Sequence, residues 1–304
     1  MERCSYFIED KALFGSFPSQ DTVFFLENIG VRLFIDLTVR DEYMTFPYTT
    51  KYKYINFPII DRKIPTDWKG FAQLILIVSS FLDNLTGNEK IYIHCRGGHG
   101  RSGILVSSLL TYRLHITPEE ALNLTNLYHS RRQVMKEKWR ILGSPQGKRQ
   151  KEFVKRFFTP LKFFKPETIG YTAGFHLMSE HPVYMPGIGK FKNSYKAVQY
   201  YKDSTLLESG DFIPDTKKPD SIEVINWEQN KEEYVEKIIY LKFIQNKDIS
   251  ENLMNTGLRD IIKYSHDHFW GNGIIGHGKN IQGEILCKVR KKILLEDFLH
   301  NSIS

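Results

Sequence analysis

An α/β fold with a mostly parallel central sheet flanked by helices is predicted for the first half of this chain by three features. Short apolar, β-branched runs alternate with segments of helical periodicity. Each run is strand-length, and a glycine-rich turn joins the third of them directly to a helix. Residues 32–38, Arg-Leu-Phe-Ile-Asp-Leu-Thr, read as a buried strand, and residues 52–58 alternate as a second. From Phe71 to Leu85 apolar positions recur at helical spacing and stop at Thr86-Gly87-Asn88. Lys90–His94 is the third strand, followed by the glycine turn and a helix from Arg101 to His115. Thr117-Pro118-Glu119-Glu120 opens another helix: threonine caps it, proline takes the first helical position, and the acids favour the positive end of the dipole.

After Phe158 the texture changes. Thr159–Pro166 carries two prolines and reads as a linker. The division expected is residues 1–160, a linker over 161–169, and a second domain over 170–297. In that second half strand signals fade, and helix-like segments near 192–202, 230–246, 250–264 and 281–297 predict an α-rich fold.

The chain has 304 residues, 41% of them hydrophobic and 13% aromatic, enough for two packed cores. Its net charge of +7 favours anionic partners, among which composition does not choose. A dedicated nucleic-acid binder is the less favoured class, because no dense Lys/Arg run is interleaved with aromatics. Cys4, Cys95 and Cys287 are the only cysteines, too few and too scattered for a disulfide framework or a zinc site, so no metal is expected. The N-terminus lacks the apolar core of a signal peptide, and no apolar run approaches membrane-spanning length. The expectation is a soluble, cytoplasmic protein of a reducing compartment.

Residues 91–103, Ile-Tyr-Ile-His-Cys-Arg-Gly-Gly-His-Gly-Arg-Ser-Gly, carry the sharpest chemistry. Cys95 and Arg101 bracket a five-residue turn between a strand and a helix N-terminus, where inward backbone N–H groups favour both a thiolate and a bound phosphate. Gly97, Gly98 and Gly100 let the backbone close around a ligand. Arg101 offers a planar fork for two phosphate oxygens. Ser102 can hydrogen-bond the sulfur, and His94 can orient the strand end. Arg96 and His99 add positive charge at interior positions of the turn. That charge suits a substrate with a second acidic group, or is simply solvated.

The match at His94, Cys95, Gly98, Arg101 and Ser102 resembles the protein tyrosine phosphatase superfamily, with about 150 residues fitting its compact, dual-specificity-like branch. The resemblance implies a phosphocysteine intermediate and no cofactor. The reaction also needs an acid to protonate the leaving group. Phe57–Pro65 has the form of the family's acid loop, making Asp61 the candidate, with Asp67 as fallback and Asp36 structural. Ser144–Gln150 resembles the family's glutamine loop, so Gln150, or secondarily Gln146, would position water; the plainer reading is a polar connection between helices.

In the second half, Asp267–Gly273 sets a tryptophan between an acid and glycines, an arrangement able to stack on a base or sugar, although a packed core tryptophan is the plainer reading. Trp270, Gly271, Gly273, Asn280, Gly283, Leu286 and Arg290 together resemble the NADAR (YbiA-like) family. Lys242-Phe243, Gln245-Asn246 and Thr256-Gly257 fit its middle helices. This implies action on, or binding of, ADP-ribosyl or riboside groups, with Gln199, Lys202, Asp267, Trp270 and Asn280 as ligand-site candidates. One departure stands out: Tyr195 occupies the position where that family carries a glutamate. A lysine amine such as that of Lys202 could still attack an opened ribose. N-glycosidase turnover and binding without turnover therefore stay open.

The function expected is a phosphomonoester hydrolase, foremost a protein tyrosine/dual-specificity phosphatase acting on a phosphorylated protein. The alternatives are a phosphoinositide or RNA 5′-phosphatase, or mainly an N-glycosidase or ADP-ribose-binding protein. The fusion of two such modules implies coupled removal of phosphate and ribosyl marks, in the host cell of a large DNA virus or a microbial host-interaction setting.

Overall fold

The computed structural model describes residues 2–166, 170, 172–203, 205, 207–215 and 226–303. The chain divides into two units, one ending at Phe158 and one beginning at Thr159.

In the first unit the strands are β1 (Cys4–Ile8), β2 (Ala12–Ser16), β3 (Val31–Asp36), β4 (Lys53–Asn56) and β5 (Lys90–Cys95). Their order across the sheet is β1-β2-β5-β3-β4, and only the β1–β2 pair is antiparallel. A central parallel strand is covered on both faces and so reads as an unbroken apolar run. β5 fits this: all six of its residues are buried. The helices are α1 (Gln20–Asn28), α2 (Trp68–Asp83), α3 (Arg101–Leu114), α4 (Pro118–Ser130), α5 (Glu137–Leu142) and α6 (Lys148–Phe158). Each well-formed start has a chemical cause. Asp67 caps α2 by accepting from the Gly70 N–H at 2.8 Å. Thr117 and Glu120 form a reciprocal capping box at α4, behind Pro118. By contrast, α3 begins after Gly100 with no side-chain cap, which leaves its first N–H groups for a ligand.

α6 lay outside the predicted elements. Its Gln150, Phe153, Val154 and Phe157 share one buried face. Phe153 and Phe157 pack on Trp68 and Phe71, with ring centroids 5.1–5.7 Å apart. That packing closes the first core behind the turn at 95–101.

The second unit holds β6 (Leu161–Phe163), β7 (Val183–Met185), β8 (Gly189–Phe191), α7 (Ser194–Lys202), β9 (Phe212–Pro214), α8 (Trp227–Gln245), α9 (Lys247–Asn255), β10 (Ile261–Lys263) and α10 (Ile281–Ile303). β7-β8-β9 form an antiparallel sheet, and β6 pairs in parallel with β10. Two expectations need correction. The start of the supposed linker is a strand, because Leu161–Phe163 finds β10 as a partner and buries Phe163. Residues 167–169 of that segment lie outside the described residues. The helix expected over 250–264 stops at Asn255, since Gly257 takes a left-handed backbone at φ +68° and the chain re-enters as β10. Among the described residues the unit is helix-rich, with five strands of three residues each, too short to leave a periodic signal. Among the described residues no helix is long and apolar enough to cross a membrane.

Candidate active site

The parallel strands β3, β4 and β5 end on the same side of the sheet, and the loops that follow them meet there. Cys95 terminates β5, and Arg101 opens α3. Between them the turn encloses a cavity of about 130 Å³, with Cys95, Arg96, Gly97, His99, Gly100 and Arg101 in its wall. Asp61, Arg62, Trp139, Gln146 and Gln150 also face it. His94, Gly98 and Ser102 lie behind that wall.

Cys95 is 3% exposed and its Sγ accepts from Ser102 Oγ at 3.0 Å, the bond expected to stabilise sulfur as an anion and as a leaving group. Gly98 has φ +73°, and a side chain there would collide with the backbone of Gly15. The turn is thus seated backbone to backbone on β2. A side chain at Gly100 would run into the carboxamide of Gln150.

Arg101 is 1% exposed, and its charge is met from two loops, those after β3 and β4. Nη1 and Nη2 each donate to an oxygen of Glu42 at 2.6 Å, a bidentate pair. Nη1 also donates to Ile59 O at 2.9 Å, and Nη2 to Asp61 Oδ1 at 3.0 Å. Burial opposes the charge. Hydrogen bonding to Glu42 and the charges of Cys95, Glu42 and Asp61 more than offset it, so Arg101 is held above its usual range. The other oxygen of Asp61 accepts from Arg96 Nη2 at 2.7 Å. Asp61 therefore bridges the two guanidiniums of the turn, in the manner of a small oxyanion.

His94 is fully buried. One ring nitrogen is 2.7 Å from Tyr48 Oη; the other is 3.6 Å from Asp36 Oδ1 and has no hydrogen-bond partner among the described residues. Burial lowers its pKa to about 4 despite the opposing pull of Asp36, so the ring is neutral at pH 7. Asp36 is structural: its oxygens accept from Thr38 N–H, Thr38 Oγ1 and Tyr54 Oη at 2.7–2.8 Å. His99 stacks on Trp139 with centroids 4.7 Å apart, and its Nδ1 lies 2.8 Å from Nε2 of buried His129. Burial depresses both imidazoles, His99 to about 4 and His129 to about 3. Gln150 donates to Lys63 O at 3.1 Å and accepts from Gly147 N–H at 3.1 Å, which ties α6 to the acid loop. Asp67 is engaged as the α2 cap and does not face the cavity.

Sequence reasoning missed Glu42, Tyr48 and Trp139. A buried guanidinium demands a carboxylate partner, and that demand was the only signal for Glu42. Tyr48 and Trp139 stand in segments without periodicity.

In the second unit the five candidate residues have different occupations. Asp267 Oδ1 accepts from the N–H groups of Phe269 and Trp270 at 2.8 and 2.7 Å, shaping the turn that presents the tryptophan. Asn280 bonds Lys263 N–H and Ile261 O, tying β10 to the start of α10. Among the described residues, Gln199 keeps a buried Oε1 with no hydrogen-bond partner. Lys202 is exposed, and its charge acts on Glu228 at the start of α8. Lys231, one turn on, sits 4.7 Å from the Phe269 ring beside Trp270. Lys231 of α8 thus meets the turn that carries Trp270. Lys242 is a different case: 1% exposed, it donates to Gly174 O at 2.6 Å, His176 O at 2.9 Å and Ser179 Oγ. Burial brings its pKa down to about 7.

Residues 11–114 match a family described as a polymorphic toxin system DSP-PTPase phosphatase, and residues 180–294 match the NADAR domain. Over 304 residues the chain is 33% identical to "Putative tyrosine phosphatase 197R" of Invertebrate iridescent virus 6, covering 95% of this chain and 94% of the relative. "Putative tyrosine phosphatase 067L" of Invertebrate iridescent virus 3 is 40% identical over 160 residues, covering 52% of this chain and 66% of that protein. N-glycosidase YbiA of Escherichia coli (strain K12) is 32% identical over 72 residues, 23% of this chain and 45% of that protein.

Proposed function

This chain belongs to the family of these iridescent-virus tyrosine phosphatases, with a DSP-PTPase phosphatase domain ahead of a NADAR domain, and from that premise we propose that its first unit hydrolyses phosphotyrosine and related phosphomonoesters in proteins. Cys95 attacks phosphorus, and the P–O bond to the leaving group breaks. Asp61 delivers its proton to the departing oxygen. Arg101 and the N–H groups of the turn hold the equatorial oxygens. Water, oriented by Gln150, then attacks the phosphocysteine; Asp61 takes the water's proton, and the thiolate leaves to the Ser102 hydroxyl. The observation that carries this reading is the convergence of Cys95, Arg101 and Asp61 on one cavity, although Asp61 lies 34 positions before the cysteine.

Substrate must first dislodge Asp61, because its carboxylate occupies the guanidinium positions a phosphate would take. The test is Cys95→Ser, expected to abolish turnover of an aryl phosphate while retaining phosphotyrosine binding. Full activity in that variant overturns the mechanism. Asp61→Ala is expected to slow poor leaving groups most, and equal slowing of all leaving groups points to another acid.

For the second unit the reading is a binder of ADP-ribosyl or riboside groups. It is supported by the unpartnered Gln199 oxygen and by Trp270 held on its aspartate-capped turn. Tyr195 is 37% exposed where a carboxylate would serve as acid or base, which favours binding over turnover. Calorimetric titration of the full chain with ADP-ribose tests it: a saturable heat lost in Trp270→Ala is expected, and no heat in the parent protein counts against it.

A further inference from the structure

The net charge is unevenly placed. Residues 159–304 carry nineteen Lys and Arg against nineteen Asp and Glu, so the whole excess of +7 resides in the first unit. Within it, residues 131–158 carry ten basic residues against two acidic ones. That stretch includes α5 and α6, the two helices whose Trp139 and Gln150 face the catalytic cavity.

The basic side chains near the cavity mouth are held outward. The inner face of α6 is apolar but for Gln150, which leaves Lys148, Arg149 and Arg156 exposed. Lys148 and Arg149 stand in the first turn of α6, with no acidic residue there. A helix N-terminus is the positive end of the macrodipole, so cations at that place are disfavoured locally. Neither residue forms an ion pair among the described residues, and the one acid of α6, Glu152, stands a turn further on. A local rule broken beside an active site is the pattern expected of a functional position. Gln150 then links this turn to the acid loop through the Lys63 carbonyl. Lys63 is exposed, and so is Arg62, which also lines the cavity. Lys63, Lys148 and Arg149, without ion pairs among the described residues, thus form a basic rim from the acid loop to α6, with Arg62 in the cavity wall 3.9 Å from Asp61.

We propose that this rim, Arg62–Lys63 with Lys148–Arg149, is the docking surface for an acidic protein segment flanking the scissile phosphotyrosine. The proposal rests on the phosphatase reading above and names the substrate class for that same cavity. Separated positive charges on flexible stems favour carboxylates spaced along a peptide, and they raise association rate more than they lock a pose.

The test compares phosphotyrosine peptides flanked by glutamates, glutamines or lysines, with p-nitrophenyl phosphate as the substrate without flanks. In the parent protein kcat/KM is expected to fall in the order glutamate, glutamine, lysine, and the glutamate advantage is expected to shrink as salt shortens the Debye length. The variant Lys148→Glu/Arg149→Glu should lose about tenfold in kcat/KM on the glutamate peptide, the scale of a steering effect, with p-nitrophenyl phosphate unchanged. Acids in the first turn suit the dipole, so α6 should persist; Lys148→Gln/Arg149→Gln, expected to show an intermediate loss, separates missing attraction from added repulsion. Equal kcat/KM for the three peptides in the parent protein overturns the docking surface while leaving the phosphatase reading intact. A 5′-phosphorylated single-stranded oligonucleotide turned over faster than the glutamate peptide also overturns it, in favour of nucleic acid. Loss of p-nitrophenyl phosphate turnover in the parent protein would instead strike the phosphatase reading itself.

Discussion

Arg101 keeps a buried charge at one fixed place, and Glu42 is what makes that feasible. A guanidinium out of water needs a carboxylate in good geometry, and the bidentate pair at 2.6 Å supplies it from the loop after β3. Glu42→Gln removes the charge but nearly keeps the shape. It is expected to lower kcat/KM on p-nitrophenyl phosphate by about 10- to 100-fold, equivalent to about 1.4–2.7 kcal/mol of transition-state stabilisation. Steady-state rates would check this, and an unchanged kcat/KM would mean that Ile59 O and Asp61 suffice to position Arg101. Cys95, Arg101 and Asp61, which line one cavity, could be singled out in the sequence because the chemistry proposed for them restricts their residue types and the turn fixes the spacing of the first two. Glu42 was not, since a charged residue in an irregular loop carries no period and its partner lies 59 positions away.

At the level of elements, sequence pattern worked where burial on both faces or a complete cap imposed it. β5 reads as an apolar run because it is the middle strand. α4 was marked by Thr117, Pro118 and Glu120, each in the place its chemistry requires. α6 was hidden, since its charged residues resembled a polar connection and its apolar face needs Trp68 and Phe71 to make sense of it. Two substitutions separate the roles of elements. Thr117→Ala should cost about 1 kcal/mol of stability by removing a cap, with phosphatase rate unchanged. Gly98→Ala meets both a left-handed backbone and the β2 backbone at Gly15. It is expected to reduce kcat by more than about tenfold through displacement of the turn's N–H groups. Thermal melts beside aryl phosphate assays would distinguish the two.

For the molecule as a whole, buried histidines set a pH dependence with a definite sign. His94, His99 and His129 have pKa values lowered to about 4, 4 and 3, in each case first by burial. Unfolded imidazoles titrate near 6.5, so between about pH 6.5 and pH 4 the unfolded chain binds more protons than the folded one. Stability contributed by these rings is therefore present above pH 6.5 and lost as pH falls toward 4. The Tm should drop between pH 7 and pH 5, and the drop should be smaller in His129→Gln; an equal drop in both proteins would assign the effect to other groups. Composition gave no hint of this, because it records ten histidines without recording which are dry. The balance of charge between the two halves, by contrast, was present in the sequence and gained meaning only once α5 and α6 were seen beside the cavity.

The carboxylate of Asp61, bound to both arginines of the turn, has a practical consequence for how this protein is studied. A tethered anion at the binding position acts as a resident competitor with an effective concentration fixed by its loop. Vanadate, phosphate or sulfate added to the protein is therefore expected to exchange against it, and its inhibition constant to report a difference between two anions. Asp61→Asn should bind such oxyanions more tightly than the parent protein even as it turns over substrate more slowly.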